Sequence, residues 1–210
     1  MKIFMSEVGK LFTSKYRKEY LLKMLHREGF NKMGWKPKYK LRSDLVKSTR
    51  RADLWGNGKL NERLPEEFCK PEWVETRRKS SRKAHQQKGN VVEKIVIDHL
   101  RELHFKVTDC QKVALLDVAG IHLVGFIDGI IEIDGKKMLL EIKSRCGKSK
   151  HQQARISELV QIHLYMRALR KMKLNSCIFI EECGGRLEAF QIDYSEEFLN
   201  RTLINIHSLI

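Results

Sequence analysis

The dipeptide Asp134-Gly135 separates two apolar segments, and it constrains the fold of this chain more than any other feature. Asp-Gly is typical of the two-residue turn of a β-hairpin, because both turn positions need a positive φ. A loop of only these two residues fixes the pairing along the whole hairpin. That pairing places Asp128 directly opposite Glu141.

The two acidic side chains and Lys143 are expected on one face of this hairpin, since side chains alternate along a strand. Carboxylates in directly opposed positions have Cβ atoms about 4.5–5.5 Å apart and repel each other. A divalent cation removes the repulsion, and carboxylate oxygens suit Mg²⁺ or Mn²⁺. A lysine beside them can orient a water or stabilise charge on a phosphate. The pattern predicts a metal-dependent centre made of Asp128, Glu141 and Lys143. The alternative is a surface hairpin whose charged side chains are only solvated.

Hydrophobic periodicity around the hairpin predicts an α/β chain, with helices packed on a hairpin-rich sheet. Three helices are expected at 91–103, 152–173 and 195–209, and five strands at 105–117, 120–133, 136–144, 177–182 and 186–194. A further amphipathic helix is expected at 6–26, and helical structure within 61–88.

Positive charge is concentrated in the first part of the chain. The net charge is +15, and residues 1–90 hold 24 lysines and arginines against 10 acidic residues. The three tryptophans (Trp35, Trp55 and Trp73) lie there too. A basic surface with aromatic side chains favours binding of nucleic acid, although a solvated basic face with buried tryptophans is the alternative. We therefore divide the chain into a basic, mainly helical clamping region at 1–88 and a core at 89–210.

The sequence shows no membrane span, secretory signal or zinc-binding cysteine pair. No apolar run approaches the ~20 residues of a membrane span, and the N-terminus lacks the pattern of a secretory signal. The five cysteines form no CxxC pair, so a zinc ribbon is not expected. We expect an intracellular protein of the cytoplasm or nucleoid that binds no membrane, with a phage or viral origin left open.

The segment GFIDGIIEIDGKKMLLEIK resembles the PD-(D/E)XK nuclease superfamily. Asp128 matches the aspartate of its motif, and Glu141, Ile142 and Lys143 match E-x-K. The proline of the motif is replaced by Ile127.

Two further matches are similar to the RecB-like and lambda-exonuclease-like branch. Gln161 and Tyr165 fit its Q-x-x-x-Y helix motif, and Gly89 with Glu93 fits a G-x-x-x-E on the first core helix. The resemblance covers residues 89–194, about half of the chain, in the family's element order.

The resemblance implies a restriction-endonuclease-like αβββαβ core with a mixed sheet flanked by helices. It further implies that Glu93, Asp128, Glu141 and the backbone carbonyl of Ile142 bind one or two Mg²⁺ or Mn²⁺ ions. Lys143 would orient the attacking water, and DNA would be cut to leave 5′-phosphate ends. The expected partners are DNA, as single strands or strand ends, and a recombination or replication protein. CRISPR-associated relatives carry a four-cysteine iron–sulfur cluster, but the cysteine spacing here does not match it.

The loop after the E-x-K strand, SRCGKSKH at 144–151, is basic. A P-loop would need glycine where Ile142 stands, so an ATPase is rejected. We expect Ser144, Arg145 and Lys148 to contact substrate phosphates. Gln161 and Tyr165 are expected to reach substrate phosphate or bases at the rim of the site, and core packing of Tyr165 is the alternative. Two alternatives to a DNA nuclease stay open: a non-catalytic nucleic-acid-binding protein on the same fold, and an RNA-directed nuclease.

Overall fold

The computed structural model describes residues 2–12, 36–42, 49–55, 62–66, 82–145 and 154–208. The helices in these ranges are α1 (Met5–Leu11), α2 (Arg82–Glu102), α3 (Ile156–Ala168) and α4 (Glu196–His207), with a 3₁₀ turn at Arg170–Met172. The strands are β1 (Lys2–Phe4), β2 (Thr49–Arg51), β3 (Glu62–Arg63), β4 (Lys106–Thr108), β5 (Val113–Val118), β6 (Ile121–Phe126), β7 (Gly129–Ile133), β8 (Lys136–Arg145), β9 (Ser176–Cys183) and β10 (Arg186–Asp193).

Seven strands form the main sheet, in the order β2-β10-β9-β8-β7-β4, with β3 also paired to β10. β8 and β9 are parallel, because α3 carries the chain from the end of one strand back to the start of the other. The other pairs in this sheet are antiparallel. The predicted α/β architecture with a mixed sheet is confirmed.

The hairpin of β7 and β8 has the register that its turn predicts. Ile133 pairs with Lys136, and the ladder continues without interruption to Gly129 and Leu140. Asp134 and Gly135 both have positive φ, at 50° and 73°. The turn chemistry therefore sets the pairing on which the site depends.

Two of the predicted strands are wrong as single elements. The segment 105–117 consists of β4 and β5, and the segment 120–133 consists of β6 and β7. β4 and β7 belong to the main sheet, whereas β5 and β6 form a second, three-stranded sheet with β1, in the order β1-β6-β5.

A bulge separates the two sheets. Thr108 pairs with Ile130 and Val113 pairs with Phe126, so that four residues, 109–112, lie opposite three, 127–129. Asp109 and Gln111 take positive φ values of 51° and 58° to accommodate the extra residue. An unequal count of this kind bends the strands and redirects side chains. The bend puts residues 127 and 128 at the junction of the sheets.

Apolar clusters pack against both faces of the main sheet. On one face, α2 buries Val92, Val96 and Leu100 against strand residues that include Leu140 and Ile142. On the other face lie α1, α3 and α4, whose largest buried side chains include Leu11 and Phe198. α1 approaches α3 closely at Gly9, where an added Cβ would lie 2.2 Å from the carbonyl oxygen of Ser157. The sheet is thus enclosed between two helical layers.

The N-terminal segment contributes to both sheets. β1 pairs in parallel with β6, and β2 and β3 pair with β10. α2 begins at Arg82 and crosses the predicted boundary at residue 88. Of the predicted helix 6–26, α1 covers the start, and 13–26 lies outside the described residues. In the described part of the chain, no helix combines the length and apolarity that a membrane crossing requires.

Candidate active site

Asp128 lies at the bend between β6 and β7, one residue before the paired part of the hairpin. Its side chain is 8% exposed, and Oδ2 accepts a hydrogen bond from the backbone nitrogen of Ile142 at 2.6 Å. This bond holds the carboxylate against β8, next to Glu141. The bulge and the hairpin register together bring the two acids to the same place.

Glu141 is fully buried in the middle of β8, and its two oxygens differ in their surroundings. Oε1 accepts from Lys143 Nζ and, at 3.1 Å, from Gln161 Nε2. Among the described residues, none provides a hydrogen-bond partner for Oε2. A buried carboxylate oxygen without a partner is unfavourable, and it is a position that a cation can occupy.

The charges of the site strongly influence one another. Burial raises the pKa of Asp128 to about 6, and the charge of Glu93 adds to the increase. Burial and the neighbouring Asp128 raise the pKa of Glu141 to about 8. Burial alone would lower the pKa of Lys143, but Glu141 and Asp128 raise it well above its ordinary value. Two carboxyl groups and one lysine are thus held close together. Because the pKa values of both acids are raised, a further positive charge beside them would stabilise their charged forms.

Gln161 and Tyr165 come from α3 and lie over Glu141. Gln161 Nε2 donates to Glu141 Oε1 and, at 2.9 Å, to the Tyr165 hydroxyl oxygen. The Tyr165 ring packs on Gly125, where an added Cβ would lie only 2.3 Å from a ring carbon. The absence of a side chain at Gly125 therefore lets α3 bring both residues to the carboxylates.

Glu93 reaches the site from α2, on the other side of the sheet. Its Oε1 accepts from Gln111 Nε2 at 2.5 Å, and Gln111 belongs to the bulge. Burial raises the pKa of Glu93, and the charge of Glu141 raises it further. The structure brings six of the predicted site residues into one region: Glu93, Asp128, Glu141, Lys143, Gln161 and Tyr165.

The residues fit a divalent cation that takes part of its coordination from elsewhere. Glu141 Oε2 has no partner within the described ranges, and burial and mutual repulsion disfavour the charged forms of Asp128 and Glu141. Within the described ranges, no three His, Cys, Asp or Glu side chains form a group that could hold a metal ion by themselves. Mg²⁺ commonly binds through one or two carboxylates, with water and substrate phosphate completing its shell. Asp128 and Glu141 match that mode of binding.

Solved structures identify the fold. An alkaline exonuclease, LHK-Exo from Laribacter hongkongensis, is 15% identical with a TM-score of 0.52, over 99% of this chain and 87% of that one. Its complex with dAMP gives 16% identity and a TM-score of 0.50 over the same shares. The chain therefore shares a restriction-endonuclease-like fold with these structures. SSO0001 is also similar, at 11% identity and a TM-score of 0.51, over 99% of this chain and 74% of that one. No protein-family model matches the sequence, and no curated protein is significantly similar to it.

Arg145 lies in surroundings that differ from those predicted for it. Its guanidinium is buried, donates to both oxygens of Glu158 at 2.7 and 2.9 Å, and donates to Glu181 at 2.5 Å. A guanidinium occupied by two buried carboxylates is not available to a substrate phosphate. Arg145 instead joins β8 to β9 and to the start of α3, the helix that carries Gln161.

The two other residues of the predicted phosphate loop also need comment. Ser144 lies on the face of β8 opposite to Glu141, and its hydroxyl donates to Glu182 at 2.8 Å. This placement argues against a phosphate contact, because strand alternation points it away from the site. Lys148 lies outside the described residues.

Three residues near the site were not singled out from the sequence. Glu158 at the start of α3 accepts from the backbone nitrogen of Arg155 at 2.7 Å as well as from Arg145. Glu181 is the second carboxylate on Arg145, and Gln111 holds Glu93. An acid in the first turn of a helix is a common sequence feature, so Glu158 carried no distinctive signal. The positions of the other two depend on strand pairing and on the bulge.

Proposed function

We propose that this protein is a metal-dependent nuclease that hydrolyses phosphodiester bonds in DNA and leaves 5′-phosphate ends. The observation that carries the proposal is the cluster of Asp128, Glu141 and Lys143, where no described residue is a partner of Glu141 Oε2. The cluster lies at the sheet junction of a fold that an alkaline exonuclease also adopts. That fold supports a nuclease, and the site residues supply a reason for its chemistry.

Each side chain has a distinct task in this proposal. Asp128 and Glu141, with the backbone carbonyl of Ile142 and with Glu93, would hold one or two Mg²⁺ or Mn²⁺ ions. Such ions supply Lewis-acid stabilisation of the phosphate and lower the pKa of water. Lys143 Nζ lies beside Glu141 and keeps its positive charge, since the acids raise its pKa. It can therefore orient the attacking water and stabilise negative charge on the phosphate.

Gln161 and Tyr165 would act at the edge of the site. The Gln161 amide is fixed between Glu141 and the Tyr165 hydroxyl, so it keeps the carboxylate in one orientation. Burial, followed by the charge of Glu141, raises the pKa of Tyr165 above its ordinary value. Tyr165 is thus a neutral hydrogen-bond donor, suited to a substrate oxygen.

The proposal is tested with end-labelled linear DNA, circular DNA, single-stranded DNA and RNA of the same sequence, each incubated with Mg²⁺, Mn²⁺ or a chelator. We expect cleavage of DNA only with a divalent cation, and loss of cleavage in Glu141→Ala and Lys143→Ala. The matched control is Glu102→Ala, whose carboxylate is on the surface. Undiminished cleavage by pure Glu141→Ala protein would refute the assignment. Products from circular DNA would exclude a strict exonuclease, and faster cleavage of RNA would change the substrate class.

A further inference from the structure

The outer face of the three-stranded sheet exposes a row of apolar side chains. Phe4 on β1 and Phe126 on β6 are 41% and 47% exposed, and Leu115 on β5 is 64% exposed. Val113, next to Phe126, is exposed as well. Large apolar side chains exposed together on one sheet face usually mark a binding surface. We call Phe4, Phe126, Val113 and Leu115 the outer apolar face.

The strand registers show that these side chains are neighbours. Val124 on β6 has a partner on each side: Phe4 on β1 and Leu115 on β5. Val124 is buried between them. Phe126, two residues further along β6, is on the same face and pairs with Val113. The two phenyl rings are therefore diagonal neighbours on adjacent strands.

This face ends close in sequence to the candidate active site. Phe126 is two residues before Asp128, on the strand that bends into the site. Its partner Val113 is two residues after Gln111, which holds Glu93. The outer apolar face therefore lies two residues along β6 from Asp128 and two residues along β5 from Gln111.

We propose that Phe126 and Phe4 stack against unpaired bases of the nucleic-acid strand whose phosphate occupies the site. The proposal rests on the proposed function and names its substrate class, an unpaired strand. Bases offer flat apolar surfaces, and single-strand-binding proteins use aromatic side chains on a sheet for them. The net charge of +15 favours a polyanion. Paired bases are stacked inside a duplex, so they cannot lie on these rings.

The test separates ring stacking from general apolar contact. Binding is measured in an Asp128→Asn background with a chelator, so that cleavage does not interfere. The probes are a single-stranded oligonucleotide containing the fluorescent base 2-aminopurine and the same sequence as a blunt duplex. The variants are Phe126→Leu, Phe4→Leu and Phe126→Tyr. Leucine keeps an apolar side chain but removes the ring, whereas tyrosine keeps the ring. Leu103→Ala, at an exposed apolar residue after α2, is the matched control.

We expect each leucine variant to weaken single-strand binding by about 5-fold or more, as loss of one stacked base implies. Fluorescence quenching of 2-aminopurine should fall in parallel, while Phe126→Tyr and Leu103→Ala stay near the parent. Equal single-strand affinity of the leucine and tyrosine variants would overturn the proposal. So would a change of oligomeric state in the leucine variants on sedimentation, since the face would then contact a second copy. Absence of cleavage by the unmodified protein would instead overturn the proposed function, independently of the binding result.

Discussion

Replacement of Asp128 by asparagine is expected to stabilise the protein in the absence of metal. The carboxylate is almost fully buried, and its pKa is raised from 3.8 to about 6, first by burial and then by Glu93. A protein therefore folds more readily when this acid is protonated. Asparagine has no charge, and its side-chain oxygen can still accept from the backbone nitrogen of Ile142.

The expected magnitude follows from the two pKa values. When the pKa of an acid is higher in the folded state than in the unfolded state, its contribution to stability is fully present below the unfolded-state pKa. That contribution is lost as the pH rises through the folded-state pKa. The difference of about 2 between the values corresponds to about 3 kcal/mol lost above about pH 7. At about pH 5 only about half of that loss has occurred. The asparagine variant should therefore exceed the parent in free energy of unfolding, and by more at the higher pH.

The assay is urea unfolding with a chelator at about pH 5 and about pH 8, followed by circular dichroism. Asp134→Asn is the matched control, because this aspartate is exposed at the hairpin turn and asparagine tolerates its positive φ. The control should change stability little and equally at both pH values. A divalent cation should then stabilise the parent and have little effect on the Asp128→Asn variant. A destabilised Asp128→Asn variant at about pH 8 would refute the electrostatic reasoning.

Three further substitutions test how the fold supports the site. Gly125→Ala should destabilise the protein by about 1–3 kcal/mol in urea unfolding, because the new Cβ meets the Tyr165 ring. The same substitution should cost less when it is added to a Tyr165→Ala chain, and an equal cost in both chains would contradict the steric explanation. Arg145→Met leaves two buried carboxylates without their partner, so we expect a loss of about 3–5 kcal/mol near neutral pH that becomes smaller in acid; equal loss at both pH values would contradict the ion-pair explanation. Gln161→Leu should lower kcat about 10-fold or more with a smaller effect on KM, since it releases the Glu141 carboxylate, and unchanged kcat would exclude this positioning role.

Local chemistry in the sequence predicted the hairpin and the site residues that depend on it. Asp134 and Gly135 favour one turn type, and that turn fixes which residues of β7 and β8 are opposite. Period-two alternation then assigns Glu141 and Lys143 to one face. The helical spacing of Gln161 and Tyr165 put both on one side of α3 in the same way. These are short-range properties, so a sequence contains them directly.

Long-range pairing decided the rest. The bulge at 109–112 divides two apparently continuous strands between two sheets. Four residues on one segment lie opposite three on the other, and neither segment by itself shows where this mismatch occurs. The ion pairs of Arg145 depend on the parallel pairing of β8 with β9 and on the return path of α3. Its place in a basic segment after the active-site strand predicted a phosphate contact for Arg145. The two carboxylates that it binds instead are distant in sequence, so the prediction could not include them.

The sequence by itself determined the hairpin, its register and the side chains on each face, because turn geometry and strand alternation act over a few residues. Tertiary structure decided how deeply Asp128 and Glu141 are buried and which oxygen of Glu141 has no partner in the described part of the chain. It also decided that Arg145 joins β8 to α3 through a buried ion pair and that Phe126 and Phe4 share an exposed face. Burial and the charge of neighbouring groups arise only when distant segments pack together, and they set the pKa values on which the proposed chemistry depends.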